Sequence, residues 1–242
     1  IACGKVVPER IAEIVGGIAD GCAMAGVALV GGETAEHPGL MDPQGYDVAA
    51  TAVGIVEREN VLGPDRVRPG DVLIAMASSG VHSNGYSLVR KIIADAQLEL
   101  AATPQGLSRT LGEELLEPTR IYTLDCLDLI CGVEVHAMCH VTGGGIPGNL
   151  PRVLPVGTAA IVDRSAWSLP PIFGLIEDAG HIERVELERA FNVGIGMIAA
   201  VEATDADRAV QRLAARGVAA WICGSVTAAD GIASVQMVND YC

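Results

Sequence analysis

Val72-Leu73-Ile74-Ala75-Met76 runs into Ser78-Ser79-Gly80-Val81-His82-Ser83-Asn84-Gly85-Tyr86-Ser87, an apolar stretch that opens into a polar loop punctuated by glycine. A short apolar run bounded by turn residues reads as a buried strand. The loop is expected to continue into a helix from about residue 85 to 98. The same order recurs where residues 133–139 feed His140-Val141-Thr142-Gly143-Gly144-Gly145. Each loop carries one imidazole, and hydroxyls, small residues and free backbone N–H groups at a helix start are suited to holding phosphate. Two such loops point to one phosphorylated substrate gripped by a single site. Taken alone, a Gly-Gly-Gly run is equally well a flexible turn.

Around these loops, half of the 242 residues are hydrophobic but only 3% are aromatic, so the core must be built from Ala, Val, Ile and Leu. A formal charge of −14 argues against a nucleic-acid backbone as partner, because that contact needs a basic surface. A small phosphorylated metabolite stays compatible, since glycine loops bind phosphate without net positive charge. The seven cysteines include no C-x-x-C pair, which speaks against zinc and disulfide frameworks and for a reducing, cytoplasmic setting. No uncharged apolar run reaches membrane-spanning length.

Reading outward in both directions, residues 8–26 form a helix with Ile11, Ile14, Val15 and Ile18 on one face, and residues 27–30 a buried strand ending in Gly31-Gly32. A long second strand is expected over 46–57. Residues 58–70, with Pro64, Pro69 and Gly63, read as a linker. Beyond it, strands are expected at 71–77, 133–139, 158–162, 193–201, 219–226 and 232–238. Helices are expected at 111–116, 118–130, 170–179, 182–190 and 205–216. The stripe Leu124, Leu127, Ile130 reads as core. Without strict βαβ alternation, the fold class is α+β, with mixed or antiparallel sheets and helices packed on them.

Four ordered stretches carry a resemblance. They are Gly31-Gly32-Glu33-Thr34-Ala35-Glu36; Ser79 through Arg90; His140 to Gly145 with Asn149-Leu150-Pro151-Arg152-Val153; and Phe191-Asn192-Val193-Gly194-Ile195-Gly196-Met197. The chain resembles the phosphoribosylformylglycinamidine cyclo-ligase (AIR synthetase) family over essentially its whole length. The resemblance implies a two-domain architecture with residues 1–57 as the tail of an ATP-binding domain, 58–70 as linker and 71–242 as the C-terminal domain. It also implies ATP and Mg2+ as cofactors, formylglycinamidine ribonucleotide as substrate, and a homodimer. The family's upstream glycine-rich and Asp-rich segments do not occur in this sequence, so the chain is expected to join the nucleotide domain partway. His37 stands where many relatives carry Met.

Within this frame His82 and His140 are the candidate catalytic residues, as proton shuttles or oxygen-polarising donors, because imidazole titrates near neutrality. Ser79, Gly80, Ser83, Asn84, Thr142, Gly143, Gly144 and Gly145 are candidates for the ribose phosphate and amide groups. Gly31, Gly32, Glu33, Thr34 and Glu36 are placed on the ATP and magnesium side, with Glu33 the candidate metal ligand and Asp47 a weaker one. Asn192 and Arg152 either join the site or satisfy backbone groups. His37, His136 and His181 read as structural or surface residues. The alternatives are another ATP-using member of the superfamily, resembling selenophosphate synthase or formylglycinamidine ribonucleotide synthase, or a non-catalytic maturation or binding module on the same fold.

Overall fold

A computed structural model describes residues 1–242. The chain divides into two compact units, 1–61 and 62–242. The first opens with β1 (Ala2–Cys3), passes through α1 (Pro8–Ala25) and returns as β2 (Ala35–Glu36) and β3 (Tyr46–Asp47). β1 is central, parallel to β2 and antiparallel to β3. Pro8 sits in the first turn of α1, where its missing N–H costs nothing.

Two expectations fail here. Residues 27–30 form no strand, and Val30 is 95% exposed. Only Tyr46–Asp47 of the expected 46–57 strand is paired, and Val53 and Ile55 stand in solvent. These residue types favour a pleated, half-buried surface, yet a strand also needs a neighbouring backbone for its N–H and C=O groups. No strand of the chain pairs with residues 27–30 or 48–57, so their backbone stays irregular.

The second unit runs β4 (Val72–Ala77), α2 (Tyr86–Asp95), α3 (Leu111–Leu115), α4 (Thr123–Gly132), β5 (Val135–His140), α5 (Gly145–Asn149), β6 (Thr158–Asp163), α6 (Pro171–Gly180), α7 (Arg184–Ala190), β7 (Ile195–Val201), α8 (Ala206–Ala215), β8 (Ala220–Ala228) and β9 (Ser234–Val238). Its strands make one sheet in the order β5-β7-β4-β8-β6-β9. All neighbours are antiparallel except β6 and β9.

Alternation along β4 distributes the core between the two faces. Leu73 and Ala75 join a large cluster with Val89 and Ile92 of α2, Phe173 of α6 and Leu187 of α7. Ile74 and Met76 join a smaller one with Cys126 and Leu129 of α4 and Leu213 of α8. Burying each Val, Leu, Ile, Phe or Met side chain among them contributes about 1.5–3 kcal/mol.

The Leu124, Leu127, Ile130 stripe is not core. All three side chains are exposed, and α4 buries Asp125, Cys126 and Leu129 instead. Asp125 pairs with Arg216 at 2.7 Å and Asp128 with Arg212 at 2.7 Å. The rotation that packs Cys126 and Leu129 against Ile74, Met76 and Leu213 turns the apolar stripe outward, and the ion pairs sit alongside that contact. The helix also starts at Thr123 rather than Pro118, so residues 117–122 remain a loop.

At the sheet end where β4 and β5 begin and β7 finishes, a polar cluster fastens residues 62–70. Nδ1 of His136 lies 2.7 Å from Asp71, Arg66 pairs with Glu134 at 2.7 Å, and Gly63 donates its N–H to the His136 carbonyl at 3.0 Å. Asp71, His136 and Glu202 bring three potential metal ligands together. The guanidinium of Arg68, paired with Glu202 and 3.5 Å from Nε2 of His136, already supplies a cation there.

Candidate active site

β4 and β5 both run antiparallel to β7 and flank it, so their C-terminal ends lie at the same edge of the sheet. Met76 and His140 pair with the same residue, Met197. The histidine loop after β4 and the triple-glycine loop after β5 therefore emerge side by side. A Cβ added to Gly143 would lie 3.4 Å from Oδ1 of Asn84, so the two loops meet at those residues. Sequence separation hides this; the strand order creates it.

Two glycines make the approach possible. Gly85 has φ +81°, and a Cβ there would sit 2.3 Å from the Phe191 ring. Gly145 has φ +59°, and its Cβ would fall 1.7 Å from the Glu188 carbonyl oxygen. At both positions the backbone conformation and the neighbour leave room only for glycine.

Two buried asparagines hold the loops. Asn192 donates to the carbonyls of Gly80 (2.9 Å) and Val81 (3.2 Å) and accepts from the Gly194 N–H (2.8 Å). Asn149 donates to the carbonyls of Thr142, Gly143 and Gly145, at 3.3, 3.2 and 2.7 Å. The Thr142 hydroxyl donates to Oδ1 of Asn149. With its carbonyls gathered onto Asn149, the loop leaves the N–H groups of Gly143 and Gly144 without an acceptor in the chain. Asn149 was visible in the sequence but gave no signal of this role. The fourfold contact arises only when α5 folds back over the loop.

His82 is 5% exposed with φ +62°, a conformation uncommon for a residue with a side chain. Its Nε2 accepts the Ser79 N–H at 3.1 Å, and its buried Nδ1 has no partner. Burial, and then the nearby His140, hold its pKa down to about 4. The ring is thus neutral at physiological pH with its proton on Nδ1. His140 lies exposed at the end of β5, and partial desolvation also lowers its pKa. Tyr122, which the expected 118–130 helix concealed, lies against both imidazoles.

The remaining candidates separate. The Ser79 hydroxyl donates to the Pro118 carbonyl and accepts from the Arg120 N–H, and Ser83 is hydrogen-bonded to Thr119. Both hydroxyls thereby tie the histidine loop to residues 117–122. Arg152 is exposed. In the first unit, Glu33 and Asp47 line one groove with Ile1, Ala2, Ala35 and Ala49, whereas Glu36 lines another and accepts the Val6 N–H at 2.7 Å. Gly31, Gly32 and Thr34 are exposed. Glu33 and Asp47 thus bring two carboxylate residues, the donor type that Mg2+ accepts, to one groove.

Comparison with known proteins agrees with these observations. Residues 68–236 match the family described as AIR synthase related protein, C-terminal domain, and residues 1–56 match the corresponding N-terminal domain. The phosphoribosylformylglycinamidine cyclo-ligase of Anaeromyxobacter sp. (strain Fw109-5) is 49% identical over 98% of the chain and 69% of its own length. That of Geobacillus sp. (strain WCH70) is 47% identical over 96% of the chain and 67% of its own length. The chain thus spans about two thirds of these relatives. Among solved structures, thiamine-monophosphate kinase from Stenotrophomonas maltophilia superposes with a TM-score of 0.66 at 18% identity, covering 100% of the chain and 71% of the kinase. That likeness carries the fold alone: an α+β architecture with a mixed sheet.

Proposed function

The chain belongs to the phosphoribosylformylglycinamidine cyclo-ligase family, and from that membership we propose that it closes the imidazole ring of aminoimidazole ribonucleotide from formylglycinamidine ribonucleotide, consuming ATP and releasing ADP and phosphate. The observation that carries this reading is the pairing of two loops beside β7, one holding His82 with its Nδ1 unpartnered and the other leaving the N–H groups of Gly143 and Gly144 without an acceptor.

The reaction needs the formyl oxygen converted into a leaving group. It takes the terminal phosphoryl group of ATP, the amidine nitrogen attacks the formyl carbon, and the C–O bond breaks with loss of phosphate. No side chain need form a covalent bond, so the protein acts by positioning and by stabilising charge. The Gly143 and Gly144 N–H groups, beside Asn84 and the start of α2, serve the ribose phosphate. His82, neutral and protonated on Nδ1, polarises the formyl oxygen rather than abstracting a proton. His140, accessible at the strand end, is the group left to move one.

On the nucleotide side, Glu33 and Asp47 are the residues that would hold Mg2+, which supplies neutralising charge to the phosphates. A homodimer, which the family resemblance implies, is part of this reading. No helix is long and apolar enough to cross a membrane, and we place the enzyme in the cytoplasm. Calorimetry tests the reading: formylglycinamidine ribonucleotide should bind this chain saturably, and Gly144→Val should weaken that binding without unfolding the protein. Equal affinity in the variant would remove the glycine loop from the site.

A further inference from the structure

Tyr122 immediately precedes α4 and is 7% exposed. Its ring centroid lies 6.2 Å from that of His82 and 6.3 Å from that of His140, edge-on to the latter. Its hydroxyl donates to the carbonyl of Ala77, the last residue of β4, at 2.7 Å. The packing leaves no slack. A Cβ on Gly196 would come within 1.9 Å of the Tyr122 hydroxyl and 2.7 Å of Cε1 of His82. Gly196 lies where the register between β7 and β4 shifts, and its carbonyl accepts the N–H of Val141, the residue after His140. One irregular strand position thus gives Tyr122 its place against both histidines.

We infer that Tyr122 is a positioning residue: its ring, tethered through its hydroxyl to the end of β4, supports both imidazoles at once and fixes their separation. The inference rests on the roles proposed for His82 and His140, whose spacing must be held for one substrate to engage both. Displacement by about 1 Å from a productive arrangement can cost about 10²-fold in rate.

The charged and titratable groups around the tyrosine are few. Arg120 lies with its guanidinium 5.9 Å from the ring centroid, Asp125 and Cys126 face it from α4, and His82 and His140 complete the set. Burial raises the pKa of the phenol above its ordinary value, so it stays a donor to Ala77 at every pH where the protein works. The ring also covers His82, whose low pKa has burial as its main cause. Removing the ring should therefore change how the histidine titrates as well as where it sits.

The test combines NMR titration of the histidine ring protons with steady-state kinetics in the parent protein, Tyr122→Phe and Tyr122→Leu. In Tyr122→Leu the His82 midpoint should rise from about 4 toward 6.5, and kcat should fall about 10-fold or more while KM stays within about 3-fold. Tyr122→Phe keeps the ring but cuts the tether, so it should fall between the parent and Tyr122→Leu in both measurements. Should Tyr122→Leu not fold, Tyr122→Phe decides, and parent-like kcat with unmoved histidine resonances overturns the inference. Unchanged titrations and kcat in a folded Tyr122→Leu of lower Tm would make Tyr122 an ordinary core residue. Titrations that move as expected in a protein without ring-closing activity would leave the positioning role standing and remove the functional reading.

Discussion

Ser79 donates its backbone N–H to Nε2 of His82 at 3.1 Å, and that bond sets the tautomer of the imidazole. With Nε2 an acceptor, the ring proton must sit on Nδ1. The low pKa keeps the ring in this form. The sequence left His82 open as either a proton shuttle or a polarising donor, and a neutral ring with its proton on Nδ1 suits the donor role proposed above.

His82→Gln or His82→Ala should therefore lower kcat by about 10²-fold, the usual effect of losing one preorganised donor to a developing oxyanion. Substrate affinity should change far less. Normal turnover in either variant would make the imidazole structural and move the chemistry to His140 or solvent.

The same burial couples His82 to stability. Its folded pKa lies below its unfolded one, so the unfolded chain binds the proton more readily. The stabilisation is complete above pH 6.5 and is lost progressively as pH falls toward about 4. The loss should amount to as much as about 3 kcal/mol, with His140 adding in the same direction. Urea denaturation of the parent and His82→Gln at pH 7 and pH 5 checks this, and an identical pH dependence in both would exclude His82 as its source.

Gly145→Ala should destabilise the fold by about 1–3 kcal/mol, because it combines a positive φ with a collision against the Glu188 carbonyl. A chemical denaturation curve reads the effect directly. An unaffected midpoint would mean that α7 can withdraw from the loop.

Asn192→Ala removes the amide that binds the Gly80 and Val81 carbonyls. Stranding buried carbonyls costs about 1–3 kcal/mol, and the histidine loop should loosen with it. Faster amide exchange across residues 78–85, alongside the lower stability, is the expected signature; exchange like the parent's would show that the loop holds itself.

The central part of the fold was legible because its signals are local. The apolar run before Ser78, the triple glycine after His140 and the 3.6-residue pattern of α8 each announce their element within a few residues. What escaped depended on partners. The residues 27–30 and 48–57 have strand composition but no neighbouring strand, and Leu124, Leu127 and Ile130 turned outward because Cys126 and Leu129 are the α4 positions packed in the core. In the site, His82 and the glycine loop could be read from their motifs. Tyr122, Asn149 and the Gly196 irregularity could not, since their roles arise only when β7 brings two distant loops together.

The most direct test of the central claim follows the formyl oxygen. Formylglycinamidine ribonucleotide labelled with 18O at the formyl group is incubated with ATP and the enzyme, and phosphate and aminoimidazole ribonucleotide are analysed by mass spectrometry. The account predicts that the label appears in the released phosphate, one atom for each imidazole ring closed. Unlabelled phosphate, or ADP released without the aminoimidazole product, would contradict it.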